Sequence, residues 1–187
     1  MLAIISETII IAGLCFLIVW IGLLALIIKC YIKANQGQVI IRNGFGGSQI
    51  CFSGIFVIPL IQNAEFLDIT LKRIVIERLE NEALTCKDGI CAEIKAAFFI
   101  RINPTVENVL QVVSKLGVTR AADTAVLKEI YEEQFIHALT TVTSEYDYET
   151  LSNRELFKEK VMDCVGKELD GFMLDVVTID YLEKSKQ

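Results

Sequence analysis

Histidine is nearly absent from this chain, with His137 standing alone. It falls inside a helical stretch, four residues after Glu133, and no Cys, Asp or Ser can be named as its partner. A nucleophile, a base and a group that orients the base cannot be assembled around it. It reads as a surface or half-buried helix residue. A basic excess is also missing, since the net charge is -6. A chain that releases counterions from nucleic acid needs the opposite balance. A disulfide framework is missing too. Of the six cysteines, Cys15 lies in an apolar run and Cys30 at its edge, while Cys51 and Cys164 are isolated. Cys86 and Cys91 sit close together in a strand-rich stretch, but zinc sites need a second such pair. They read as core or edge thiols, and the scatter as a whole suits a reducing compartment. Gly44-Phe45-Gly46-Gly47 follows a strand without opening a helix, so it lacks the donor cluster of a phosphate loop and reads as a hairpin turn. No catalytic residue, metal site or cofactor is expected, and nucleic acid is not an expected partner. There is no internal repeat and no low-complexity segment.

What the chain does have is one long apolar run, Thr8 to Ile28, without a single charge. As a helix rising 1.5 Å per residue it spans about 30 Å, the hydrocarbon thickness of a bilayer. A soluble helix of that length normally keeps a polar face. The anchoring side chains are Ile9, Ile10, Ile11, Leu14, Phe16, Leu17, Ile18, Val19, Trp20, Ile21, Leu23, Leu24, Leu26, Ile27 and Ile28. A cleaved signal peptide is the rival reading. It fits badly, because Met1 to Glu7 holds no basic residue, the apolar run is too long, and Lys29-Cys30-Tyr31 is no cleavage site. Tyr31 suits the headgroup level just past the run. Lys29 and Lys33 flank its C-terminal end, and the N-terminal flank has no counterpart. Basic residues stay on the cytoplasmic side, so the N-terminus is expected outside and the bulk of the chain in the cytoplasm of a single-pass membrane protein.

Beyond the anchor the pattern changes once, near Pro104. Before it come short β-rich stretches with Gly-rich turns: Gln38–Arg42, Gln49–Phe52, Ile55–Ile61, Phe66–Leu71, Lys72–Arg78 and Ile90–Ile102. They suggest a small antiparallel β-module. After it, Asn103-Pro104 reads as a cap with proline at the first helical position. Val106, Val109, Leu110, Val113 and Leu116 form a helical stripe that Gly117 ends. A second helix is predicted from about Ala122 to about Thr143, with Val126, Ile130 and Leu139 toward the core. A third starts at the capping box Ser152-Asn153-Arg154-Glu155, buries Leu156, Val161, Val165 and Leu169, and closes at Gly171. Phe172 to Tyr181 is a last strand. The division is 1–32 anchor, 33–104 β-rich subdomain and 105–187 α/β subdomain.

Three features stay open at this level. Ser53 to Ile61 carries no charge. It is either a core strand or a hairpin whose Ile55, Phe56, Val57 and Ile58 dip into the inner leaflet beside the anchor. Glu129, Glu132 and Glu133 form a solvated helix face, or a surface that meets a neighbouring subunit. Cys30 is an unmodified thiol, or a site for palmitoylation.

The order of these segments carries a resemblance. Tyr31 to Gly47 after the anchor, Ser53-Gly54 to Pro59, Leu84-Thr85-Cys86-Lys87-Asp88, Ala97 to Thr105, Leu116-Gly117, and Gly171-Phe172-Met173-Leu174 to Tyr181-Leu182 together resemble the bacterial flotillins of the YqiK type. These belong to the SPFH (stomatin, prohibitin, flotillin, HflK/C) superfamily. The resemblance implies an α+β fold, with a single transmembrane helix and then an SPFH domain, β-rich first and α/β second. It implies a non-enzymatic membrane scaffold that forms homo-oligomeric rings or cages around a membrane microdomain. Its expected partners are the lipid bilayer, further copies of itself and a client membrane protein. The alternative functions are regulation of a membrane protease or transporter, and, less in keeping with the residues, a membrane-bound enzyme. In two respects the chain differs from the pattern. A Glu/Ala-rich coiled coil is expected after the domain, where this chain reaches Gln187, and Gln62 stands where a His is expected.

Overall fold

The computed structural model describes residues 2–44, 47–59 and 61–185. Helix α1 runs from Leu2 to Cys30 and passes without a linker into strand β1, Tyr31–Lys33. Its stretch Gly13–Cys30 is long and apolar enough to cross a membrane, and no residue in it is buried by the rest of the chain. The side chains of Ile9, Ile10 and Ile11 lie outside the described residues. Apolar groups left bare over that length need a solvent other than water.

The chain folds into two compact units that part after Phe66. In the first, β2 (Gln38–Gly44), β3 (Gln49–Cys51), β4 (Gly54–Phe56) and most of β5 (Gln62–Asp68) follow β1. A three-stranded sheet has the order β3-β2-β5, and β1 pairs separately with β4. Val39, Ile40 and Ile41 are all buried, so both faces of β2 are covered. The expected tight turn over Asn43–Gly47 includes Phe45 and Gly46, which lie outside the described residues. On either side of it β2 and β3 pair antiparallel, Ile41 opposite Ile50 and Arg42 opposite Gln49. The expected strand Ile55–Ile61 is shorter than its composition suggests. It leaves the ladder after Phe56, and Pro59 stands in the loop that follows, where its missing N–H costs no ladder bond. Leu60, in the same loop, is outside the described residues.

The second unit holds β6 (Lys72–Arg78), β7 (Leu84–Thr85), β8 (Cys91–Ile102), α2 (Val106–Leu116), α3 (Val118–Ala122), α4 (Thr124–Glu145), α5 (Tyr148–Leu151), α6 (Arg154–Val165), β9 (Glu168–Leu169) and β10 (Phe172–Lys184). The sheet order is β6-β8-β10-β9, with β7 also on β8, and all these pairs are antiparallel. The strands from Lys72 to Ile102 therefore belong with the C-terminal strand. The change from strand-forming to helix-forming sequence at Pro104 falls inside this unit, because sheet pairing ignores where the chain switches element type.

Alternate residues of β8, from Ala92 to Ile102, are buried, and Phe98 stacks on Phe135 of α4 with ring centroids 4.1 Å apart. Tyr131 packs edge-on to Phe172 and donates its hydroxyl to the Leu169 carbonyl at 3.2 Å. Burial beside Asp170 pushes that phenol up to about 12. The opposite strand positions carry the ion pairs Lys95–Glu77, Arg73–Asp180 and Arg101–Asp175 at 2.6–2.8 Å. Exposed pairs of this kind each contribute at most about 1 kcal/mol.

The helix details differ from the sequence reading at several points. Thr105, not Asn103, caps α2 by accepting from the Asn108 N–H, and the helix begins after Pro104 rather than on it. Its buried residues are Val109 and Val112, while Val106 and Leu110 stay exposed. A separate turn, α3, precedes α4. Asp123 caps α4, whose buried stripe is Leu127, Tyr131, Phe135, Ala138, Leu139 and Val142. Of the expected core residues, Val126 is half-buried, Ile130 is exposed and Leu139 is buried. For α6 the cap is Asn153, while the Ser152 hydroxyl donates to the Tyr148 carbonyl. That helix ends at Gly166, so Leu169 lies on β9 rather than on the helix. Gly171 has φ of 95°, and a Cβ there would stand 2.8 Å from a Val112 methyl and 2.9 Å from the Asn108 carbonyl. Glycine is therefore required where β10 starts beneath α2.

Candidate membrane-contact site

The last carbonyls of a helix have no partner within it. At the end of α1 the Cys30 carbonyl accepts from the Val57 N–H at 2.8 Å. That bond brings the loop after β4 to the helix end. The β1–β4 ladder sets Tyr31 opposite Phe56, Ile32 opposite Ile55 and Lys33 opposite Gly54. Ala34 then donates to the Ser53 carbonyl at 2.8 Å, which closes the far end of the pair. The Tyr31 and Phe56 rings lie 5.1 Å apart and tilted, a favourable aromatic geometry. Gly54 makes room for this, since a Cβ there would come within 2.6 Å of the Tyr31 hydroxyl.

A third strand supports the same feature. Arg42 on β2 donates to the Phe56 carbonyl at 3.1 Å and also to the Gln49 side chain. Beyond β4 the chain turns tightly. The Ile58 N–H donates to the Gln62 side chain at 3.1 Å, and the Gln62 N–H returns to the Ile58 carbonyl at 2.9 Å. Gln62 thus closes the turn that presents Ile58, a role its amide fills and its sequence position did not announce.

Around this frame large apolar side chains face outward. Phe56 is 54% exposed, Ile58 48% and Ile61 58%, with Tyr31 and Phe52 also exposed. Val57 is buried, and Ile55 is half-buried. The four residues Ile55, Phe56, Val57 and Ile58 therefore do not act as a set. Val57, just past the end of β4 with its N–H held by the Cys30 carbonyl, is turned into the core of its unit, so it is not a leaflet contact. Phe52, just before the uncharged run, and Ile61, its last residue, are exposed as well and were not among the sequence candidates. Lys29 and Lys33 are exposed on either side of Cys30 and Tyr31.

The remaining candidate groups stay apart from this feature. His137 is exposed on α4. Glu129 and Glu133 are exposed, and Glu132 lies 4.0 Å from Lys128. Cys86 is buried, and burial raises its thiol to about 11, so at neutral pH it is no nucleophile. Cys91 contacts the Thr85 hydroxyl at 3.8 Å. Among the described residues no three His, Cys, Asp or Glu side chains gather as a metal site.

Comparison with known proteins fits this architecture. The SPFH domain / Band 7 family matches residues 32–185. A flotillin family inner membrane protein, YqiK of Escherichia coli (strain K12), is 27% identical over 164 residues, which is 85% of this chain and 30% of that protein. The chain thus spans less than a third of that relative's length. The family match begins at Ile32, two residues after α1 ends, and runs through both units. The chain belongs to the SPFH domain / Band 7 family, as a flotillin-like member with an apolar N-terminal helix.

Proposed function

We propose that this chain is a membrane-anchored scaffold that assembles laterally with copies of itself into rings or cages enclosing a patch of bilayer. The observation that carries the reading is the unbroken passage from α1 into β1, with β4 bound to the helix end. A domain joined this way stays at the bilayer surface. Confinement to a plane raises its effective concentration toward its neighbours, so weak lateral contacts suffice to close an assembly. Lys29 and Lys33, at the C-terminal flank of α1, support a cytoplasmic domain with the N-terminus outside. Tyr31, Phe56, Ile58 and Ile61 then rest in the inner leaflet, where aromatic and aliphatic groups lose water without needing a protein partner.

Crosslinking in native membranes, followed by blue-native electrophoresis and electron microscopy of detergent extracts, tests the assembly. A ladder or a closed particle of many copies is expected. A strictly monomeric full-length protein would overturn the scaffold reading. One stoichiometric partner of another kind would replace it with regulation of a membrane protease or transporter.

A further inference from the structure

Charge divides unevenly between the two units. Of the 18 basic and 24 acidic side chains, only Lys29, Lys33, Arg42, Glu7 and Glu65 fall in residues 1–66. That unit carries +1 and the other -7. Within the first unit the cations converge on one feature. Lys29 is in the last turn of α1, Lys33 is paired with Gly54 beside the Tyr31–Phe56 rings, and Arg42 is hydrogen-bonded to the Phe56 carbonyl. From Lys29 to Ala64 there is no carboxylate at all.

We propose that Lys29, Lys33 and Arg42 form a cationic collar that binds the phosphates of anionic phospholipids around the inserted aromatic pair. This rests on the inner-leaflet contact proposed above. Two juxtamembrane lysines alone would be explained by topology. Arg42 is not, because it lies on a separate strand and reaches the site only through the fold. The aromatic pair sets the depth at which the headgroups stand, and the collar draws those of negative charge. The acidic second unit gains nothing from an anionic surface, which leaves the collar as the part that selects lipid.

The test uses the full chain reconstituted in phosphatidylcholine bilayers with trace spin-labelled phosphatidylglycerol or phosphatidylcholine. Electron paramagnetic resonance reads the lipid held at the protein. A cation near a membrane surface favours anionic lipid by about fivefold, so a preference of at least that size is expected in low salt. It should fall below about twofold in 1 M salt, where the screening length is about 3 Å. Arg42→Gln is expected to lower the preference at least about twofold, and Arg42→Lys to keep it, with unchanged circular dichroism in both. Equal association of the two lipids, a preference that survives 1 M salt, or one untouched by Arg42→Gln overturns the collar.

Quenching by brominated lipid in the Trp20→Phe/Ile58→Trp variant separates the two ideas. Strong quenching without any headgroup preference overturns the collar alone. No quenching overturns the leaflet contact, and the collar falls with it.

Discussion

Replacing Phe56 by alanine tests whether the β1–β4 pair holds the domain in the leaflet. Complete burial of a phenylalanine side chain contributes about 1.5–3 kcal/mol. Phe56 is already about half covered by protein, with 54% still exposed. Roughly half of the transfer energy, about 1 kcal/mol, is therefore available to the bilayer, which is about fivefold in the inserted population. The change also removes the contact with Tyr31, worth about 0.5–1.5 kcal/mol of local order. Phe56→Leu separates these effects, since it keeps the apolar surface and loses the ring pair. The assay is depth-dependent quenching in the Trp20→Phe/Ile58→Trp background, where the tryptophan at position 58 is the only one. Alanine at 56 should reduce quenching by bromine near the headgroup end of the acyl chain. Leucine should restore most of it. Equal quenching in all three proteins would refute the argument, because the bilayer would then be indifferent to the side chain that faces it.

Three further perturbations address the anchor and the second unit. Val19→Arg sets a charge at mid-span, costing roughly 2.5–3.5 kcal/mol on insertion scales, and carbonate extraction should release the chain or show failed insertion; unchanged fractionation would contradict a single anchor. Gly171→Ala combines a positive φ with contacts of 2.8 and 2.9 Å, so a loss of about 2–4 kcal/mol is expected in denaturant titration of the second unit; a loss below about 0.5 kcal/mol would refute the requirement for glycine. Cys86 has a thiol raised from 9.0 to about 11, by burial first and then by Asp88, Cys91 and Asp147. The folded state keeps its proton where the unfolded state loses it. Its stabilising contribution is thus complete below about pH 9 and lost as pH rises toward 11. Alkylation at pH 8 should modify exposed Cys164 well before Cys86, and equal rates would disprove its burial.

The parts of the fold legible in the sequence were those set by unmixed local signals. Thr8 to Ile28 had no charge to weigh against its apolar run, and Lys72–Arg78 appears as a strand with those same limits. Gly117 ends α2 as its position implied, with φ of 77°. Signals that compete were less reliable. Ser152 and Asn153 can each cap a helix, and the choice went to Asn153 because the Ser152 hydroxyl was drawn to Tyr148. In α4 the apolar residues crowd round the helix, so Val126 and Ile130 were expected in the core where the structure buries Leu127 and Tyr131. Which arc faces the sheet is decided by Phe98 and Phe172, strands away in sequence. The unit boundary was illegible for the same reason: β6 and β8 precede the helices but pair with β10 after them. At the candidate site the uncharged run Ser53–Ile61 was visible. Arg42 was not, since only the register of β2 brings it to Phe56.

The end of α1 explains why that site lies where it does. A helix commonly stops at a glycine that turns the chain and satisfies its last carbonyls. Here the stop is Lys29-Cys30-Tyr31, with no glycine until Gly37. The Val57 N–H takes the Cys30 carbonyl instead, so a strand end does the work of a cap. At the edge of a bilayer that choice has consequences a glycine cap would not have. An unpartnered carbonyl is costly in hydrocarbon, so the bond resists opening on the membrane side. Tilt or rotation of the helix is then passed directly to β1 and β4, and under the proposed leaflet contact it changes how deeply Phe56 and Ile58 sit. In the proposed assembly every copy would then meet its neighbours with the first unit at the same height. A flexible linker would scatter those heights and raise the entropy cost of any lateral contact. Inserting a Gly-Ser linker between Cys30 and Tyr31 is accordingly expected to weaken assembly while leaving membrane attachment intact, as read by crosslinking of the same membranes. Assembly that is indifferent to the linker would show that the helix end fixes nothing its neighbours use.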